Sequence, residues 1–167
     1  LSVSFVDRLG YRFCMVLAHI LSAAGLIFLT VLPEILPSAF AGILTAVMIY
    51  AIGGGLLEVL VSPVVESCPS DNKEKAMSML HSFYCWGHMG VVLISTVFFS
   101  AFGITNWKIL AVLWAIVPLV NAAAFTKVPI RSLMEEGETG LSLKELLTMK
   151  TFWILLIMMI CAGASEQ

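Results

Sequence analysis

A single acid, Glu58, stands in the apolar run Gly53-Gly-Gly-Leu-Leu-Glu-Val-Leu-Val-Ser-Pro63, with no basic residue nearby in sequence. A charged carboxylate at the middle of a lipid-spanning helix costs about 2.5–3.5 kcal/mol on insertion scales. Low dielectric disfavours the ionised form. A carboxyl that sits neutral in lipid and ionises when water or solute arrives is suited to carrying a proton. The competing reading is a carboxyl bonded permanently to a polar neighbour for helix packing. Glu58 shares a helical stripe with Ala51, Gly55 and Ser62, and small residues on such a stripe let a helix or a ligand approach the backbone.

A second polar stripe runs Ser78, His81, Cys85, His88, Val92, Ser95, at alternating spacings of three and four. Two imidazoles and two hydroxyls on one face suggest a water-accessible interior. His81 and His88 are two turns apart, roughly 10 Å along a helix axis, too far for both to ligate one metal ion without a bend. Contact with a ligand, a hydrogen bond to Glu58, or plain satisfaction by a neighbouring helix all remain open for them. His19 and Asn121 are lone polar groups for which helix–helix hydrogen bonding, worth roughly 1 kcal/mol, is expected. Pro118 is expected to kink its helix. The four cysteines, Cys14, Cys68, Cys85 and Cys161, have no metal or disulfide spacing and read as small apolar packing residues. There is no phosphate loop, carboxylate pair or nucleophile elbow, and Gly53-Gly-Gly55 follows no strand. No cofactor and no metal is expected.

The elements that must position these residues are legible from composition. The chain is 60% hydrophobic and 12% charged, against about 45–50% and 25% in soluble domains, so it reads as a membrane protein. Spans need about 20 apolar residues. Four segments qualify, at 12–32, 39–65, 76–102 and 107–126, and a fifth starts near 150 and is cut off at 167. Pro33-Glu-Ile-Leu-Pro37, Ser67-Cys-Pro-Ser-Asp-Asn-Lys-Glu-Lys75 and Gly103-Ile-Thr-Asn-Trp107 separate them. Because the chain begins with Leu and ends in an apolar run, it is expected to be a piece of a longer protein.

Charge placement orients the spans. Arg8, Arg12, Lys73, Lys75, Lys127, Arg131, Lys144 and Lys150 fall on one side of the alternation, and only Lys108 on the other. The excess of Lys/Arg puts the first side in the cytoplasm and the short connections at 33–38 and 103–107 outside. Within the long loop 127–149, Ser142-Leu-Lys-Glu145 fits a capping box for a short helix, and Asp71-Asn-Lys-Glu74 offers a similar cap for the third span. Glu135, Glu136 and Glu138 around Gly137 read as a solvated linker.

Asp7-Arg-Leu-Gly10 followed by Arg12 resembles the loop between the second and third helices of major facilitator superfamily carriers, Gly-x-x-x-Asp-Arg-x-Gly-Arg-Lys/Arg, with Val3 and Tyr11 departing from it. The resemblance implies that the four spans are the family's third to sixth helices. It implies that 1–126 is part of the N-terminal bundle, 127–149 the cytoplasmic loop between the halves, and 150–167 the start of the C-terminal half. Asp7, Arg8 and Arg12 are expected to hold the inner helix ends through charge pairs that break as the halves rock, with Gly10 part of the same gating motif. Gly55-x-x-Glu58-x-x-x-x-Pro63, with Ser82-Phe83 in the next helix, looks like the fucose–galactose–glucose:proton symporter branch. Glu58 matches that branch's glutamate, whose implied role is proton coupling. His81 stands where the branch has an Asn that contacts sugar, and His88 lies deeper on the same face.

The expected fold is therefore an all-α membrane protein, a partial major-facilitator bundle of four complete transmembrane helices plus the start of a fifth. The expected function is proton-coupled uptake of a small hydroxylated solute, a sugar by resemblance, across the plasma membrane. Its partners would be protons, solute, the bilayer and the rest of the carrier chain, with no nucleic acid. The rivals are a non-transporting sensor or scaffold of the same fold, and a carrier exporting drugs or organic anions. A membrane enzyme is disfavoured, because the polar residues are spread through the spans and do not cluster at one water boundary.

Overall fold

The structure, a computed structural model, describes residues 6, 9–69, 71–128, 130 and 147–165. These residues form helices joined by short connections, with no strand among them. The helices are α1 (Tyr11–Ile35), α2 (Ala39–Ser67), α3 (Lys73–Phe102), a short 3-10 turn (Ile104–Asn106), α4 (Trp107–Lys127) and α5 (Lys150–Ser165). The first four are long and apolar enough to cross a membrane.

Proline chemistry sets most of the boundaries. The residue before a proline is pushed from the helical to the extended region. Leu36 before Pro37, Cys68 before Pro69 and Val128 before Pro129 are all extended, with ψ of 148°, 137° and 127°, and each ends its helix. The prolines inside the spans do not: α1 continues through Pro33 to Ile35, and α2 through Pro63 to Ser67. The first expectation placed the end of α1 at Pro33, one proline too early. α3 ends differently, at Gly103, whose φ of 79° and ψ of 157° lie in a region open essentially to glycine alone. At its start, the Asn72 side chain accepts a hydrogen bond from the Lys75 backbone N–H at 2.9 Å. The cap is thus Asn72, within the expected Asp71–Glu74 stretch.

The chain divides into two units, Leu9–Leu133 and a second formed by Leu1–Arg8 with Met134–Gln167. In the first unit α1 is central and packs antiparallel against both α2 and α4. Against α2 the spacing is set by small residues. A Cβ on Gly53 would fall 2.6 Å from the Ser22 backbone nitrogen, and one on Gly42 would fall 2.6 Å from the backbone of Leu32 and Pro33. The backbones themselves are in contact, and dispersion across so close a seam replaces the hydrophobic drive that lipid does not supply. Against α4 the pairing runs from Arg12 with Val128 at one end to Glu34 with Lys108 at the other. Cys14, Met15, Ala18 and Ala23 of α1, Ala46 and Leu60 of α2, and Leu110, Ala115 and Ala122 of α4 form the core. α3 has no buried residue.

In the second unit, α5 is anchored at its start by the Trp153 indole, which donates to the Leu147 carbonyl at 2.9 Å. The expected capping box at Ser142–Glu145 and the Glu135–Glu138 linker lie outside the described residues.

Candidate functional site

Glu58 lies five residues beyond Gly53, which rotates it about 140° around α2. Gly42, Ala46, Gly53 and Leu60 are buried, and that face is committed to α1. Glu58 is accordingly exposed on the opposite side, as are Ala51 and Gly55, while Ser62 is half-buried. A Cβ on Gly55 would meet nothing within 4 Å. The small-residue stripe expected to admit a helix is therefore open, and the close approach occurs on the other stripe of the same helix. The sequence signal for the true seam was present: Gly42, Ala46 and Gly53 repeat at four and seven residues.

On α3, Ser78, His81, Cys85 and His88 are exposed. No hydrogen bond joins either histidine to Glu58 among the described residues, so of the readings open for them the imidazole–carboxyl bond is not formed here. The reason is the rotation of α2 together with the sparse packing of α3. Depth is nevertheless matched. Glu58 lies nine residues from the inner end of α2, and His81 eight residues from the inner end of α3. Both are about 12–14 Å into the helices, in one layer. His88 sits near the middle of α3. Cys85 is a free thiol, and among the described residues no group of three His, Cys, Asp or Glu is placed to hold a metal ion.

Ser95 is the member of the α3 stripe with a cross-helix partner. It accepts a hydrogen bond from the Trp114 indole of α4 at 3.2 Å. Trp114 was not singled out from sequence, since an indole in an apolar span reads as packing until its N–H has a named acceptor.

His19 is buried at 6% exposure, but its hydrogen bond is not the expected one between helices. Its Nδ1 lies 2.7 Å from the Met15 carbonyl oxygen of its own helix. A carbonyl only accepts, so Nδ1 carries the proton there. The ring packs on Phe125 of α4, with centroids 5.2 Å apart. Asn121 is exposed and makes no hydrogen bond with a described residue, so its expected role in helix pairing is not realised here.

At the inner end, Gly10 caps α1 with φ 82° and ψ 144°, a conformation that a side chain would strain. Arg12 donates from Nη2 to the Val128 carbonyl at 3.1 Å. Among the described residues Arg12 thus bonds to a helix end. The last carbonyls of α4 have no partner within the helix and carry the negative end of its dipole. Asp7 and Arg8 lie outside the described residues.

At the outer end, Lys108 donates to Glu34 and also lies 5.9 Å from the centre of the Trp107 ring. Lys108 entered the sequence reading only as the lone cation on its side. The side chains are 42% and 67% exposed, and pairs this open contribute about 0–1 kcal/mol. Replacing Lys108 by Met is expected to change stability by less than about 1 kcal/mol, with the difference vanishing in high salt. Thermal unfolding in detergent at low and high ionic strength measures this. A large loss that persists in salt would show that the pair is structural.

The geometry is that of antiparallel spanning helices with polar groups held at depth. A family model described as Major Facilitator Superfamily matches residues 1–166. The chain belongs to the Major Facilitator Superfamily. Membership makes it a secondary transporter by family, and its four spanning helices make it an integral membrane protein. No curated protein matches it, and no solved structure does.

Proposed function

We propose that this chain belongs to a proton-coupled carrier taking up a small hydroxylated solute, a sugar, across the plasma membrane. The observation that carries the reading is Glu58, the one acid placed well inside a spanning helix, at the depth of His81 and turned away from the packed core. Its exposure on that face leaves it free for protons and solute.

In the proposed cycle Glu58 takes a proton from the outer side and becomes neutral. Neutral Glu58 removes the cost of a charge in a water-poor interior, which permits the closed intermediate. Release of the proton inward restores the charge and resets the carrier. His81, able to donate and accept, orients solute hydroxyls near Glu58, and His88 contributes from deeper in the span. Gly10 and Arg12 hold the inner ends of α1 and α4, and Asp7 and Arg8 belong to the same gating motif. The four spans supply part of one half of the carrier, and the halves rock about the midplane.

Counterflow in proteoliposomes of the complete carrier tests the reading. Liposomes loaded with unlabelled galactose, glucose or fucose are expected to take up the labelled sugar transiently against its gradient. Counterflow with organic anions or drugs alone would overturn the sugar assignment. No counterflow with any solute would point to a sensor or scaffold.

A further inference from the structure

Two separate features fix one register between α3 and α4. The first is the connection. α3 ends at Phe102 and α4 begins at Trp107, joined by Gly103 in its glycine-only conformation and one 3-10 turn, and the Asn106 side chain donates to the Phe102 carbonyl at 2.6 Å, which holds the start of α4 beside the end of α3. The second is the hydrogen bond from Trp114 to Ser95. Ser95 is seven residues before Phe102, and Trp114 is seven residues after Trp107. A seven-residue step is about 10.5 Å of rise and two turns less about 20°. Both features therefore describe the same antiparallel ladder, one heptad apart.

The next rung is decided by the same arithmetic. Seven residues before Ser95 is His88, and seven after Trp114 is Asn121. Each lies within about 20° of the face carrying the rung above it. Both are exposed, and neither makes a hydrogen bond with a described residue. α3 has no buried residue, so the cleft below Ser95 is open in this structure.

We infer that α3 closes on α4 along this ladder, with Ser95–Trp114 as the standing rung and a His88–Asn121 hydrogen bond as the rung that closing makes. Trp114 and Asn121 are then positioning residues. Trp114 sets the register. Asn121 selects one imidazole tautomer of His88 and fixes the ring. The amide oxygen accepts from the ring nitrogen that faces it, which keeps the proton on that nitrogen. The drift of about 20° per heptad turns His81 further off this line and leaves it for solute. The inference deepens the transport reading only in its consequence, that His88 is held and not free. The ladder itself stands on the geometry of α3 and α4.

The test uses the full-length protein in lipid vesicles with its native cysteines replaced by serine. His88→Cys with Asn121→Cys is treated with a short bifunctional thiol reagent, and the fraction of chains escaping a maleimide–polyethylene glycol gel shift is followed. The expected result is crosslinking roughly fivefold faster than for Met89→Cys with Asn121→Cys, because Met89 lies about 100° around the helix. Adding Trp114→Phe, which keeps the ring and removes the N–H, should slow the reaction. Equal rates for the two pairs, or no effect of Trp114→Phe, would overturn the ladder. Nitrogen-15 shifts of the His88 ring in the native-histidine protein supply a readout that loose packing would not move. A single tautomer is expected, lost in Asn121→Ala and kept in Asn121→Gln, and an unchanged spectrum in Asn121→Ala would overturn the role of Asn121. None of these measurements involves a solute, so failure of the sugar assignment leaves their outcome untouched.

Discussion

Gly53→Ala is expected to destabilise the helix bundle by about 1 kcal/mol, while Gly54→Ala next to it is neutral or stabilising. The contrast comes from space. In an exposed helix, Gly→Ala gains about 1 kcal/mol of propensity. At Gly54 an added Cβ meets nothing within 4 Å, so that gain stands. At Gly53 the Cβ would lie 2.6 Å from both the Ser22 nitrogen and its Oγ, and 2.8 Å from the Ala18 carbonyl. Most of these are backbone atoms, which cannot rotate aside. Ser22 Oγ is itself committed to the Ala18 carbonyl at 2.9 Å. Relief requires α1 and α2 to separate, and separation forfeits dispersion along the whole seam, including the approaches at Gly25 and Gly42. Overpacking of this kind costs about 1–3 kcal/mol, and it must first cancel the propensity gain. Reversible unfolding in mixed micelles, followed by helicity, measures both variants. If the two shift stability alike, the seam is not the close backbone contact described.

Glu58→Gln is expected to abolish pH-driven accumulation in the complete carrier while leaving solute exchange intact. Glutamine copies the size and hydrogen-bonding capacity of the protonated acid but cannot release a proton. The carrier is then held in the state that permits the closed intermediate, so exchange continues. One proton coupled to one solute across a gradient of one pH unit supplies about 1.4 kcal/mol, or roughly tenfold accumulation. That factor should fall to about one. Uptake into proteoliposomes with and without an imposed gradient, beside equilibrium exchange in the same vesicles, separates the two processes. Accumulation that survives the substitution would remove Glu58 from the coupling path. Loss of both processes with an intact fold would make it a solute residue and not a proton carrier.

Neither prediction draws equally on sequence and structure. The four spans were legible because lipid imposes a length and a composition on any helix that crosses it. Their ends were nearly legible, since Leu36, Cys68 and Val128 each precede a proline. What misled was Pro33: a proline near the end of a helix does not stop it, and the residue before the next proline does. Glu58 was conspicuous because its cost in lipid is local and needs no partner to be noticed. Gly10 was carried by a motif, and its positive φ supplies the physical reason for glycine there.

Rotation and pairing were not legible in the same way. α2 carries two stripes of small residues, and periodicity alone ranks them equally. The choice of Gly42, Ala46 and Gly53 for the seam depends on what α1 offers opposite, the backbone at Ser22 and Leu32. That choice turns Glu58 outward. The bond from Arg12 to the end of α4 was not legible either, because an unpaired carbonyl at a helix terminus becomes an acceptor only once the fold brings it near. The Ser95–Trp114 bond and the Glu34–Lys108 pair join residues far apart in the chain. Sequence by itself determined that this is a membrane-spanning helical chain with one acid at depth, since burial in lipid acts on each residue separately. Tertiary structure decided which face of each helix is spent on packing and which is left for function, because that outcome belongs to pairs of surfaces and to no single residue.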